Sequence, residues 1–352
     1  MECKVLISLA TSIIFMENQT QGGGENRYHS KGVHDMEHIW NYSDPYEYMR
    51  RVVKRKMPPL IITVAVTGGS GKEDNPNVPE LPEEQAQQTY DAYKAGATCV
   101  HIHAKDETGA TGVADASRSR EINRQIRELC PDIIIGNSTG AGLHVPREKV
   151  LDILDADPEI CSINLGPLPV RRVLKKREPP LKGREEDQLV DLVFPITFGE
   201  QESIAKKALE KNIKTELEIH NGAMFFAAQN LIRQDLVKKP YWIQLIFSAF
   251  SHEMPSLPSF LAMVNSLPPD SMYSVIGIGA FQLPMTTIAM VMGGHVRVGL
   301  EDNLYYRKGE PAKNNAQFVE RVVRIAKELD REIATPAQAR EMLGISQTPK
   351  QY

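Results

Sequence analysis

Cysteine is scarce in this sequence: four residues in 352, at Cys3, Cys99, Cys130 and Cys161, with no CxxC pair among them. That excludes a disulfide framework or a thiolate metal site read from spacing, and it fits a reducing, cytoplasmic setting. Cys99 and Cys161 lie in apolar runs, where a free thiol serves as a small hydrophobe rather than a nucleophile. A long hydrophobic run is also missing. The best candidate, VLISLATSIIF after Lys4, has the look of a short signal core. Ser and Thr interrupt it, no small-residue cleavage site follows, and about eleven residues fall short of the roughly twenty that a membrane span requires. No membrane partner is expected. Charge of one sign is lacking as well, since 41 Lys and Arg against 45 Asp and Glu leave a net charge of -4. Without a concentrated basic footprint, nucleic acid is not expected as a partner.

What is present is a 41% hydrophobic composition, enough for a large soluble core. The polar, Gly-rich stretch QTQGGGENRYHSKG near the start reads as a tail or linker. Residues 1–56 are accordingly expected to be an N-terminal extension, partly flexible, with Met36 as an alternative start, and residues 57–352 a catalytic domain. From Leu60 onward, short Val- and Ile-rich runs alternate with amphipathic stretches. Eight candidate strands follow: LIITVAV (60–66), ATCVHIH (97–103), DIIIGNS (132–138), ICSINLG (160–166), TELEIHN (215–221), YWIQLIF (241–247), YSVIGIG (273–279) and HVRVGLE (295–301). Their near-continuous apolar character suits strands covered on both faces, as in a parallel sheet. Between them, PEEQAQQTYDAYKAGA, SRSREINRQIRELC, ESIAKKALEKN and NAQFVERVVRIAKELD read as helices. Eight β-α units over this length predict an α/β fold, a (β/α)8 TIM barrel, with a doubly wound open sheet as the alternative. The charged, Pro-rich VRRVLKKREPPLKGREEDQLV after the fourth strand reads as a surface excursion.

In such a barrel, function gathers at the C-terminal ends of the strands. Here those ends are polar or Gly-rich: TGGSGKEDNP, HIHAKD, NSTGAG, NLGP, HNGAM, FSAFSHEMP, GIGAFQLP and GLEDN. His101 and His103, two apart on a strand, project to one side, and two imidazoles there make half of a zinc site or merely a polar strand end. Glu301 ends the eighth strand, which lies beside the first when the barrel closes, so that it can supply a third ligand and leave a coordination position open. Alternation puts Arg297 on the same face as Glu301, and an inward Arg requires a partner, for which Asp302 is the candidate. TGGSG lacks the spacing of a Walker motif, and NSTG and GIG are as readily turns as sites for a carboxylate or carbonyl oxygen.

Together, ITVAVTGG, KEDNPNVPELPEEQA, AGATCVHIHAKDETG, IIIGNSTG, MGGHVRVGLEDNLYYRKGEPAKNNAQ and ATPAQAREMLGI resemble the β-keto acid cleavage enzymes, of the 3-keto-5-aminohexanoate type, over about residues 58–348. The resemblance implies a zinc-dependent enzyme that condenses a β-keto acid with acetyl-CoA and cleaves the product to acetoacetate and a new acyl-CoA. By matching motif positions, His101, His103 and Glu301 are implied as Zn2+ ligands, Asp302 as the base, and Arg297 as the residue that positions it. Ser138, Thr139 and Gly140 of NSTG, Ser162 and Glu218 are implied as substrate-binding, with Ser70 standing where the amine-processing member carries a glutamate. The family also implies a homo-oligomer, a tetramer. Ala280 stands where many members have arginine, and FSAFSHEMP replaces a Gly-rich turn, which bears on how acetyl-CoA is placed. Two other readings remain: a zinc aldolase or lyase working without CoA, and a non-catalytic metal-binding barrel. Ser70 also leads to the expectation that the distal group of the substrate is neutral or weakly polar rather than a primary ammonium, because a buried ammonium requires a paired carboxylate.

Overall fold

The computed structural model describes residues 37–142 and 144–352. The expected Val- and Ile-rich runs form the strands β1 (Ile62–Ala65), β2 (Cys99–Ile102), β3 (Ile134–Asn137), β4 (Ile160–Asn164), β7 (Lys214–Ile219), β8 (Tyr241–Phe247), β9 (Ser271–Gly277) and β10 (His295–Val298). All are parallel and hydrogen-bonded in chain order. Ile62 of β1 lies opposite Val296 of β10 and Val64 opposite Val298, which closes the ring. This closure is what separates a (β/α)8 barrel from a doubly wound sheet, whose edges stay open.

Local chemistry sets the helices. In α2 (Pro82–Ala95), Pro begins the first turn, Glu83 and Glu84 follow at the positive end of the dipole, and Gly96 ends it in the left-handed region. The helix α3 (Ala116–Leu129) is capped by the Asp115 carboxylate, which accepts from the amides of Ser117 and Arg118. The outer ring continues with α4 (Phe198–Glu210), α5 (Phe225–Arg233), α6 (Leu257–Asn265), α7 (Gln282–Val291), α8 (Ala316–Glu328) and α9 (Pro336–Leu343). Between β3 and β4 the covering element is a 3-10 segment, Arg147–Ala156, instead of an α-helix. Among the described residues, no helix is long and apolar enough to cross a membrane. Cys99, Cys130 and Cys161 are free and buried, and burial pushes the Cys99 thiol up to about 12, which suits a filler rather than a nucleophile; Cys3 lies outside the described residues.

The segment expected to be an extension, residues 1–56, divides in the structure. Residues 1–36 are outside the described part. Residues 37–56 join the compact unit that runs from Glu37 to Tyr352 and include α1 (Pro45–Val53), capped by Asp44. Trp40 and Tyr42 are buried in the main core, with ring centroids 4.6 Å apart, and Tyr42 meets Tyr273 of β9 edge-on at 4.7 Å. Trp40 fits so closely that a Cβ built on Gly293 would lie 2.6 Å from its ring. The excursion after β4 is a two-stranded antiparallel ribbon, β5 (Leu168–Leu174) with β6 (Gln188–Phe194). A second small ribbon pairs β11 (Tyr305–Arg307) with β12 (Glu310–Pro311).

Because residues 37–56 belong to the compact unit, Trp40→Ala is expected to open a cavity against Tyr42 and Gly293 and to cost about 3–5 kcal/mol of stability. Urea or guanidinium denaturation of the full chain reads this directly. A change below about 0.5 kcal/mol, the range of ordinary surface substitutions, would make the segment an appendage.

Candidate active site

The site forms where β2 and β10 end on either side of β1. Ala65 of β1 is the register partner of His101, and its carbonyl accepts the Glu301 amide at 3.2 Å. That contact requires glycine two residues earlier. Gly299 has φ +148°, and a Cβ there would stand 2.0 Å from the Ala65 oxygen. With the chain seated in this way, the His101 and His103 Nε2 atoms are 3.3 Å apart, and Glu301 Oε1 lies 3.2 Å from His103 Nε2 and 3.8 Å from that of His101. Among the described residues these three form the one group of histidine, cysteine and acidic side chains whose ligand atoms converge as a metal demands, all within 4.8 Å of one another.

The surroundings fit that use. Burial lowers the His101 pKa, and Arg297 adds to the effect, so that the imidazole is kept neutral as a ligand requires. Its other nitrogen, Nδ1, lies 3.6 Å from Glu216 Oε1, while Glu216 Oε2 accepts from the Trp242 indole at 2.9 Å, an outer layer that fixes the ring. Burial alone would raise Glu301, but Arg297 and the two imidazoles hold it well below the usual carboxylate range. Its second oxygen is buried without a hydrogen-bond partner.

Arg297 enters from β10 and binds Asp302 in a fork, Nε to Oδ2 at 3.1 Å and Nη2 to Oδ1 at 3.0 Å. It also donates to Glu301 Oε1 at 2.6 Å and to Glu218 Oε1 at 3.4 Å. Three carboxylates thus share one guanidinium, and they cannot all be ionised on its charge alone. Burial raises Asp302 above its ordinary value, helped by the negative charge of Glu301 and opposed by Arg297. Glu218 is pushed up by burial to about 8. A carboxylate held in water-poor surroundings with a raised pKa suits proton transfer better than a solvated one.

A cavity of about 300 Å³ opens above these groups. Of the residues singled out from the sequence, His103, Glu301, Arg297, Asp302, Ser138, Gly140 and Glu218 line it. Ser138 Oγ accepts the Gly140 amide at 3.1 Å and lies 3.4 Å from Ser162 Oγ, a contact in which either hydroxyl can donate. Thr139 and Ser162 stand behind this wall: the Thr139 hydroxyl donates to the Ser162 carbonyl at 2.8 Å, and Ser162 Oγ accepts the Thr139 amide at 3.3 Å. They shape the Ser138 turn without lining the cavity. Ser70 does not line this cavity either; its carbonyl accepts from Lys105 Nζ.

The structure adds residues that the sequence reading passed over. Asn164, His220 and His252 also line this cavity. His220 Nε2 and Asn164 Oδ1 are 2.7 Å apart, and the His220 and His252 rings lie tilted at 48° with centroids 4.8 Å apart. Burial keeps both histidines neutral. All three sit in strand ends, NLGP, HNGAM and FSAFSHEMP, that are visible as polar; no spacing rule distinguishes them there.

A family model described as beta-keto acid cleavage enzyme matches residues 59–345. The chain is 37% identical over 290 residues to a 3-keto-5-aminohexanoate cleavage enzyme of Fusobacterium nucleatum, covering 82% of this chain and 99% of that protein. It is 31% identical over 291 residues to a 3-oxoadipate:acetyl-CoA acetyltransferase of Cupriavidus necator, covering 82% and 95%. Among solved structures, the apo structure of ObcA superposes with a TM-score of 0.60 at 19% identity, over 76% of this chain and 66% of that one, so the chain spans about two thirds of ObcA and the likeness shows the fold alone. With the family model matched across nearly the whole barrel and relatives of this similarity named as cleavage enzymes and acetyl-CoA transferases, the chain belongs to the beta-keto acid cleavage enzyme family.

Proposed function

We propose that the protein is a zinc-dependent β-keto acid cleavage enzyme, which condenses a β-keto acid with acetyl-CoA and splits the product to acetoacetate and a new acyl-CoA. The observation that carries this reading is the convergence of His101, His103 and Glu301 beside the Arg297–Asp302 fork at the barrel mouth. His101, His103 and Glu301 would hold the ion, a set of three protein ligands that leaves room for substrate. When bound, zinc supplies Lewis acidity to the carboxylate and keto oxygens of the substrate.

Asp302 takes the proton from the carbon between those two groups. Arg297 holds both Asp302 oxygens, which fixes the direction of the transfer, and the raised pKa of Asp302 favours acceptance. The carbanion attacks the acetyl-CoA carbonyl, forming one carbon–carbon bond and expelling CoA thiolate. Thiolate then adds to the original keto carbon, the bond between that carbon and its α-carbon breaks, and the α-carbon recovers its proton from Asp302. The Ser138 hydroxyl, at the wall of the cavity, would be the donor to a developing oxyanion. Acetyl-CoA as co-substrate is supported by the names of the relatives. Incubating the metal-loaded protein with a panel of β-keto acids, with and without acetyl-CoA, tests the whole reading: acetoacetate and a new thioester form only when acetyl-CoA is present, whereas cleavage without it would make the protein a lyase.

Two outcomes test the roles. His103→Ala removes a ligand, and Gly68→Ala crowds one: Gly68 has φ +59°, and a Cβ there would lie 2.2 Å from Glu301 Cγ. Both variants are expected to lose zinc, from about one per chain to near none for His103→Ala and with about 10–100-fold weaker affinity for Gly68→Ala. Chelator competition measures this, and unchanged affinity in both variants would remove the metal set.

Asp302→Asn keeps zinc and fold while turnover falls by about 10²–10⁴-fold, the usual worth of a general base. Arg297→Lys is damaging too, since an ammonium does not reproduce a planar fork. Wild-type kcat in Asp302→Asn would exclude it as the base.

A further inference from the structure

The ribbon β5–β6 turns one face toward the barrel mouth. Strand alternation puts Val170, Arg172 and Leu174 on that face, and they line a second cavity of about 650 Å³ that shares His103, Gly69 and Gly140 with the first. The tip of the ribbon is bolted in place. Arg177 donates to both Glu80 oxygens at 2.8 and 2.7 Å and to Glu73 at 2.6 Å, Arg184 also pairs with Glu73, and Lys175 lies 3.3 Å from Asp74. Those three carboxylates form their ion pairs with Arg177, Arg184 and Lys175, while Glu80 and Glu73 attract Lys105, and Asp74 and Glu73 attract Arg172, from farther off.

Two further cations, Arg172 and Lys105, hold main-chain carbonyls instead: Arg172 Nη2 donates to Gly69 at 3.1 Å, and Lys105 donates to Ser70. No carboxylate among the described residues forms an ion pair with either. Their position is tied to the metal set through two consecutive glycines. A Cβ on Gly68 would touch Glu301, and a Cβ on Gly69 would stand 3.0 Å from the Arg172 guanidinium. One peptide unit, about 3.8 Å between Cα atoms, thus separates the residue against the metal ligand from the residue against the cation.

We propose that Arg172, with Lys105, forms an anion-binding subsite for the tail of the substrate, and that the preferred substrate is a β-keto acid with a second carboxylate at its far end. The assignment rests on the reading above, in which the keto acid head lies at His101, His103 and Glu301. It replaces the neutral tail expected from Ser70: the loop's own carboxylates, Glu73 and Asp74, are taken up by Arg177, Arg184 and Lys175, and the loop is faced by the Arg172 guanidinium, whose planar donors match a carboxylate.

Calorimetric titration of the zinc-loaded protein with adipate, hexanoate and 6-aminohexanoate, acids matched in length that need no turnover, separates the cases. Adipate is expected to bind at least about tenfold more tightly than hexanoate, with 6-aminohexanoate weakest. Arg172→Gln reduces the adipate advantage to within about twofold, and Arg172→Glu moves the preference toward 6-aminohexanoate. Lys105→Gln reduces it partially. Equal binding of adipate and hexanoate by the wild type, or an advantage that survives in Arg172→Gln, overturns the subsite. If Arg172→Gln instead raises KM for acetyl-CoA and keeps the adipate advantage, the anion held there is a CoA phosphate and the substrate assignment fails. If none of the three acids binds, the placement of the head at the metal set is what fails, and the tail subsite with it.

Discussion

The mouth of this barrel is organised by one buried guanidinium. An unpaired Arg inside a parallel barrel would carry a desolvation cost of several kcal/mol, and Arg297 avoids it only because Glu218, Glu301 and Asp302 close around it. The dependence runs both ways. Each carboxylate is itself nearly enclosed, and Arg297 is what keeps Glu301 ionised despite burial. Hence the guanidinium settles where the Glu301 oxygens lie, and with them the third corner of the proposed zinc set. The same contact draws Asp302 inward. Consecutive residues of a strand point to opposite faces, yet Glu301 and Asp302 both reach Arg297 because β10 has already ended at Val298 and the chain turns, with the amides of Asp302 and Asn303 bonded to the Gly299 carbonyl.

That turn marks a boundary of what the sequence could show. The eight barrel strands were legible because strands covered on both faces leave near-continuous runs such as YWIQLIF, which occupies β8 from Tyr241 to Phe247 without one exposed residue. His101 and His103 were legible because a period of two states which side they share. The ribbon was not: VRRVLKK is half charged, since β5 meets the solvent on one face and a cavity on the other, so no apolar run marks it. Trp40 and Tyr42 were hidden by their neighbourhood. They follow a polar, Gly-rich stretch that reads as a tail, and only the tertiary contact with Tyr273 and Gly293 shows that two aromatic rings complete the core. Asn164, His220 and His252 come together from three strand ends far apart in sequence, a relation that periodicity cannot express.

The two ends of the barrel are stabilised by different means, and the difference bears on how the site works. At the N-terminal end, Arg331 is buried with Tyr42 and Tyr273 near it, and it donates to four carbonyls, those of Pro58, Met290, Gly293 and Gly294. Its charge is spread over main-chain dipoles. At the C-terminal end, charge stands against charge, and the buried second oxygen of Glu301 has no hydrogen-bond partner. Unsatisfied groups are destabilising in a folded protein unless a ligand completes them. At the mouth, that Glu301 oxygen is the group a bound cation would complete.

Head and tail of the substrate then fall to different parts of the chain. The proposed chemistry sits on β2 and β10, where strand geometry and the Gly68 and Gly299 contacts leave little freedom. The tail reader sits on the ribbon and on the loop after β1, which tolerate exchange of side chains because their backbone is held elsewhere, by Arg177 against Glu73 and Glu80 at the ribbon tip. A substitution at Arg172 or Ser70 can alter the charge that the tail meets without moving a proposed zinc ligand, whereas a substitution at Gly68, only two residues from Ser70, cannot. On this arrangement a single barrel can keep one carbon–carbon cleavage reaction and vary its acid, and the sign of charge facing the tail is set by the ribbon rather than by the catalytic strands.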